Sequence, residues 1–209
     1  MSKLPLYSSA LVADTPHAKT MHPRIRPMVS TGIIVGPAMT VNVAIGDNLS
    51  IHEAIYDAAP GQILVINGHQ FEDCAYIGSM LVLSAKAMGF LAIIIDGYAR
   101  DLQELQEEIG FPVYALGTNP KGPVRQTRGE INVPIVCGDV TVNPGDIVFA
   151  DEDGIVVIDA AYLDELSSHI VKKETYEIER RELLNKIIKQ ELPKNSIYPA
   201  WFKKKNNIL

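Results

Sequence analysis

Apolar residues return at helical spacing first at Ile51, Ala54, Ile55 and Ala58, behind the capping-box pattern Ser50-Ile51-His52-Glu53, and Pro60-Gly61 ends the run. Ile63-Leu64-Val65-Ile66 follows as a short all-apolar stretch, the pattern of a strand covered on both faces. Gly78 to Gly89 reads as a helix bounded by two glycines, and Ala92-Ile93-Ile94-Ile95 as a second buried strand turned by Asp96-Gly97. These elements make a βαβ unit with a right-handed crossover. A third round places Asp101 as N-cap with Glu104 at N3, a helix to Gly110, and a strand at Val113-Tyr114-Ala115.

Beyond the turn-rich loop Gly117 to Pro123 the texture changes to short β runs at 133–136, 140–142, 146–150 and 155–158. Asn143-Pro144-Gly145-Asp146 and Asp151-Glu152-Asp153-Gly154 are turns between them, and the expected result is an antiparallel or mixed β layer beside the βαβ unit. The chain closes with a helix from about 161 to 190, carrying Leu163, Leu166 and Ile170 on one stripe, Leu184, Ile187 and Ile188 on a later one, and an i,i+4 pair of Glu182 with Lys186. The charged middle of this helix suits a subunit contact, and Trp201-Phe202-Lys203-Lys204-Lys205 reads as a short, basic, solvated tail.

Composition narrows the class. With 209 residues and 47% hydrophobic positions, one α/β domain spanning 1–209 is expected. A net charge of −6 argues against direct nucleic-acid binding and favours a small-molecule or protein partner. Cys74 and Cys137 form no CxxC pair, which suits a reducing cytoplasm, and neither a secretory leader nor a membrane span is expected. The fingerprints GxGxxG, GxxxxGK[ST], HExxH and GxSxG are absent.

Three ingredients of metal-assisted carbon chemistry lie close together. Gly78 opens a helix whose first amides, on Ser79, Met80 and Leu81, can cradle a substrate carboxylate. Arg100 can clamp the same carboxylate through its planar fork, and Asp101 can ligate a hard divalent ion. Each also has a plain structural role: Gly78 as a permissive turn, Arg100 as a surface partner of Glu104 or Glu107, Asp101 as a helix cap. Their place near the ends of adjacent strands, where open α/β sheets hold ligands, favours the functional one.

Gly78-Ser79-Met80-Leu81, Ser84 to Gly89 and Ile94-Ile95-Asp96-Gly97-Tyr98-Ala99-Arg100-Asp101 resemble the central signature of the family that contains the regulator of ribonuclease E activity A and the divalent-metal pyruvate aldolases. Gly36 to Val41, Gly46-Asp47-Asn48, Pro144-Gly145-Asp146 and Ala150 to Ile155 also resemble it, so the similarity runs from about residue 10 to 190. The resemblance implies a β/β/α swivelling-type sandwich with a central βαβ unit and a long C-terminal helix, assembled as a homotrimer or hexamer with the site at a subunit interface. In the aldolase branch it implies cleavage of a small 4-hydroxy-2-oxo acid to pyruvate and a second oxo acid, with oxaloacetate decarboxylation as a related activity. Arg100 would then bind the pyruvyl group, Asp101 would ligate Mg2+ or Mn2+, the amides of Ser79 to Leu81 would hold the carboxylate, and Glu182 from a second subunit would supply an acid, with Glu179 and Glu177 as alternates. In the regulator branch the resemblance implies no catalysis and a ribonuclease or helicase partner. A methyltransferase role is disfavoured, because no glycine-rich loop follows the first strand.

One position departs from the aldolase pattern. That pattern has an aspartate twenty residues before the Arg-Asp pair; residues 80 to 99 are those twenty here, and position 79 is serine. Serine supplies neither the charge that orients metal-bound water nor a base near neutral pH. Asp73, in the preceding loop, is the nearest substitute.

Overall fold

The computed structural model describes residues 4–29 and 32–205, and the chain divides into two compact units, Met1–Leu166 and Ser167–Leu209. The first unit runs α1 (Ser9–Ala13), β1 (Lys19–Thr20), β2 (Arg26–Val29), β3 (Ile34–Asn42), α2 (Leu49–Asp57), β4 (Ile63–Asn67), β5 (Ala75–Ile77), α3 (Ser79–Ala87), β6 (Ala92–Ile95) and β7 (Tyr98–Ala99). It continues with α4 (Leu102–Glu104), β8 (Val113–Ala115), β9 (Gly117–Thr118), β10 (Glu130–Ile131), β11 (Ile135–Cys137), β12 (Val140–Val142), β13 (Ile147–Ala150) and β14 (Ile155–Ile158). The helix α5 (Leu163–Ile188) begins at its end. The α/β class, the βαβ unit and the long C-terminal helix are all as expected from the sequence.

Among the described residues nine strands form one mixed sheet, in the order β1-β14-β13-β3-β4-β6-β8-β2, with β10 on β3. β4, β6 and β8 run parallel, and alternation along them divides the core into two. Leu64, Ile66, Ile93 and Ile95 pack with Ile51, Ile55, Leu81 and Val82 of α2 and α3. Ile63, Val65, Ala92 and Ile94 face Ile135, Cys137 and Val142 of the β11–β12 hairpin. Each side chain buried to this degree contributes about 1.5–3 kcal/mol, so a strand covered on both faces reads as a continuous apolar run. Both cysteines are buried and free.

The central strand β3 escapes periodicity, because Gly36-Pro37 interrupts it. Its first half pairs antiparallel with β13 and its second half parallel with β4. The Ala38 amide donates to Asp146 O on the β13 side (2.8 Å), so the missing Pro37 N–H faces the other edge, ahead of the first β4 pairing. This open first half of β3 also explains why β13 and β14 do not form a separate layer. They extend the main sheet, and the β11–β12 hairpin packs over its far face together with Met21 and Ile25.

One helix start and one helix end differ from the pattern. α2 begins before Ser50, with Asn48 at the N-cap position, because Asp47 Oδ1 accepts the Leu49 amide at 2.9 Å. Ser50 is therefore inside the helix and buried, and Glu53 pairs with Arg128 at 2.7 Å. After α4 the backbone widens into a π-turn over Leu105–Ile109, closed by left-handed Gly110, whose amide donates to Leu105 O at 2.9 Å.

In the second unit α5 is largely solvent-exposed, and among the described residues its i,i+4 ion pair is Lys173–Glu177 (3.8 Å) rather than Glu182 with Lys186. The basic tail forms a short helix, α6 (Ala200–Lys205), with Lys204 and Lys205 exposed and Phe202 edge-on to Tyr198. No helix among the described residues is long and apolar enough to cross a membrane.

Candidate functional site

Arg100 and Asp101 leave the end of β7 against the start of α3. The Arg100 amide donates to Ile77 O (2.9 Å), which fixes the pair beside the β5–α3 junction. Asp101 adopts a left-handed backbone, φ 61°, a conformation that aspartate tolerates better than most residues. It stands at the N-cap position of α4 but does not cap that helix with its side chain. Its Oδ2 instead accepts the Ser79 amide at 3.1 Å and the Ser79 hydroxyl at 3.4 Å, and lies 3.5 Å from Arg100 Nε. Asp101 thus caps α3, not its own helix, and Arg100 pairs with Asp101 rather than with Glu104 or Glu107.

Two glycines leave these side chains their room. A Cβ on Gly78 would meet Asp101 Oδ2 at 2.6 Å and Arg100 Nε at 2.9 Å, and one on Gly122 would meet Arg100 Nη1 at 2.6 Å. The guanidinium runs between two glycines that leave it room. Of the three amides at the helix start, Ser79 donates to Asp101 and Leu81 to Gly78 O (3.1 Å), so among the described residues Met80 N–H is the one without a partner. Met80 is also 71% exposed and lines the adjoining cavity.

That cavity, about 100 Å³, is lined by Asn48, His52, Gly78, Met80, Arg100, Asp101 and Arg125, and adjoins a second hollow of about 310 Å³ that shares Asn48, Arg100 and Arg125. Two guanidiniums and one carboxylate line it, so it suits an anion. The loop bearing Arg125 is pinned through buried Asp47, whose Oδ2 accepts the amides of Gln126 and Thr127, both at 2.7 Å. Burial pushes the Asp47 carboxyl up, but the amides of Leu49, Thr127 and Gln126, together with Arg125, outweigh it and hold the group below its ordinary range. Asn48 Nδ2 donates to Tyr76 O at 3.0 Å, tying α2 to β5.

The residues expected from sequence therefore meet in one place: Gly78, Met80, Leu81, Arg100 and Asp101 line the cavity, with buried Ser79 behind Asp101. Asp73 is exposed and outside the lining, and Glu182, Glu177 and Glu179 are exposed residues of α5. Asn48 and His52, one turn apart at the start of α2, and Gly122 and Arg125, in the loop after β9, were not expected at the site, because nothing in the sequence ties either segment to the βαβ unit. The one available signal was the glycine density of the 117–123 loop, which marks a close backbone approach as well as a turn.

A divalent ion suits this donor set in one way. Among the described residues no three His, Cys, Asp or Glu side chains converge, so an all-protein cage is absent. Asp101 Oδ1 has no partner among them, and a magnesium-like ion needs only one or two carboxylates when water and substrate oxygens complete its shell.

The model of the RraA-like family, described as Aldolase/RraA, matches residues 9–157. The chain belongs to the RraA-like family. A relative from Halalkalibacterium halodurans named "Putative 4-hydroxy-4-methyl-2-oxoglutarate aldolase" is 39% identical over 136 residues, 64% of this chain and 63% of that protein. The chain thus spans less than two thirds of that relative. A protein of the same name from Burkholderia multivorans is 32% identical over 66% of this chain and 84% of its own length. Among solved RraA-like structures, Streptomyces coelicolor RraAS2, described as an unusual member of the RNase ES inhibitor RraA family, has a TM-score of 0.74 at 25% identity, covering 84% of this chain and 93% of its own. A Geobacillus kaustophilus structure described as an S-adenosylmethionine:2-dimethylmenaquinone methyltransferase has a TM-score of 0.69 at 29% identity, covering 73% and 95%.

Proposed function

We propose that this RraA-like chain is a divalent-metal-dependent lyase that cleaves a small 4-hydroxy-2-oxo acid to pyruvate and a second oxo acid. The observation that carries it is the Arg100–Asp101 pair, held beside the unpaired Met80 amide by glycines at 78 and 122. Arg100 and the Met80 amide bind and orient the pyruvyl carboxylate. Asp101 Oδ1 would hold Mg2+ or Mn2+, which when bound supplies Lewis-acid stabilisation of the developing enolate. Ser79 contributes no base; its amide and hydroxyl keep Asp101 turned toward the cavity. The aldolase names of relatives support this reading, and a second subunit's Glu182 is the proposed additional acid in a trimer or hexamer.

Pyruvate release from 4-hydroxy-4-methyl-2-oxoglutarate, measured with and without Mg2+ or Mn2+, tests it. Turnover that depends on metal and vanishes in Asp101→Ala supports it, and absent or metal-independent turnover overturns it. Ser79 favours one rival, a non-catalytic partner of an RNA-degrading enzyme, since the aldolase pattern's carboxylate is missing. Recovery of a ribonuclease or helicase by pull-down, with no metal binding by calorimetry, would decide for that rival.

A further inference from the structure

The two oxygens of the Asp101 carboxylate are used unequally. Oδ2 accepts the Ser79 amide at 3.1 Å and the Ser79 hydroxyl at 3.4 Å, and lies 3.5 Å from Arg100 Nε. Oδ1 has no partner among the described residues. The lone pairs of Oδ2 are taken up by Ser79, and this oxygen faces two positive groups, the Arg100 guanidinium and the N-terminal end of α3. A cation is therefore repelled from one oxygen and free to approach the other.

We infer that Ser79 is a positioning residue that holds Asp101 to one-oxygen ligation, so that the site selects a small octahedral cation over calcium; this rests on the lyase reading. A carboxylate that chelates with both oxygens places the ion between them. At Asp101 that would require Oδ2 to release Ser79 and the ion to move toward Arg100. Calcium gathers more oxygens and commonly takes a chelating carboxylate, whereas a magnesium-sized ion needs one carboxylate oxygen and keeps several waters. Asp101 also lines a hollow of about 440 Å³ with Gln103, Glu104 and Glu108, which leaves room for those waters.

The clamp depends on Ser79 more than on Arg100. Ser79 is 6% exposed and fixed in the first turn of α3, while the Arg100 side chain is partly exposed and makes a single contact with Asp101. Serine donates to Asp101 and carries no charge, so position 79 orients the ligand instead of adding to the charge of the site. The loss of such a partner behind a metal ligand typically weakens the metal about ten- to a hundredfold.

Mn2+ and Ca2+ binding to the full chain with excess pyruvate, measured by calorimetry and, for Mn2+, by electron paramagnetic resonance, tests this without reference to turnover. Wild type should hold Mn2+ more tightly than Ca2+. Ser79→Ala should weaken Mn2+ about tenfold and leave Ca2+ little changed, because the freed Oδ2 can join a chelate, so the preference narrows by about the same factor. Ser84→Ala, which removes an α3 hydroxyl that donates to Met80 O instead, should bind both ions as wild type does. A wild type without the preference, an unchanged preference in Ser79→Ala, or an equal loss in Ser84→Ala would overturn the inference and leave the lyase reading standing. A wild type that binds neither ion would overturn the lyase reading itself, and the inference with it.

Discussion

The Asp96 carboxylate, just past β6, and the Asp101 carboxylate, just past β7, each face an arginine, and the two pairs differ in how fully their hydrogen bonds are used. Asp96 is 4% exposed, accepts the Arg24 guanidinium at 3.4 and 3.2 Å, and takes the Gly138 amide at 3.1 Å. Arg24 also grips Asp139 at 2.7 and 2.6 Å, and these two aspartates raise its already high pKa further. The Arg100–Asp101 pair has one 3.5 Å contact, side chains 43% and 39% exposed, and a carboxylate oxygen unused among the described residues. A saturated pair has nothing left to offer a ligand and serves the fold. An unsaturated pair in a cavity keeps donors and an acceptor available, which is what a binding site requires.

The contrast breaks most sharply at Asp96. Asp96→Ala leaves the half-buried Arg24 with Asp139 alone and the buried Gly138 amide without its acceptor, and should lower stability by about 1–3 kcal/mol in urea unfolding. A variant that loses turnover while keeping its unfolding midpoint would show that this pair is not the structural one. At the open pair the reverse is expected. Gly78→Ala pushes on the ends of Asp101 and Arg100, so kcat/KM should fall about a hundredfold, some 2.7 kcal/mol, while stability changes by less than about 1 kcal/mol.

Asp47 holds the Arg125 loop by accepting backbone amides, and Asp47→Asn should cost about 1–2 kcal/mol by leaving one of them poorly matched. The depressed carboxyl gives the pH dependence a definite sign. Its stabilisation is complete above the ordinary value of 3.8 and is lost as pH falls below that value through the folded-state pKa. The asparagine variant should therefore show a shallower acid limb in unfolding midpoint against pH. The smallest expected effect is at exposed Arg125: Arg125→Gln should raise KM about tenfold with kcat little changed, the mark of lost ground-state binding. An unchanged KM would confine anion binding to Arg100 and the Met80 amide.

Much of the fold was legible, for a reason visible in the strands. Ile63 to Ile66, Ala92 to Ile95 and Ile155 to Ile158 are buried on both faces, so burial is written as uninterrupted apolar runs. β3 was illegible because Gly36-Pro37 is tolerated only where its two halves change partners. The start of α2 lies ahead of the Ser50 pattern because Asp47 Oδ1 accepts the Leu49 amide two residues on, a local Asx turn that competes with the capping box read at Ser50.

The site divides in the same way. Gly78, Arg100 and Asp101 were recognisable because they sit in one βαβ unit, where strand ends and a helix start bring them together by local connectivity. The sequence by itself also determined the family resemblance and the serine at position 79. The tertiary structure alone decided that Asp101 caps α3, that Gly122 makes room for Arg100, and that His52 and Arg125 share the cavity with them. Those relations join segments far apart along the chain, and their hydrogen bonds and close approaches leave no period or spacing in the sequence to read.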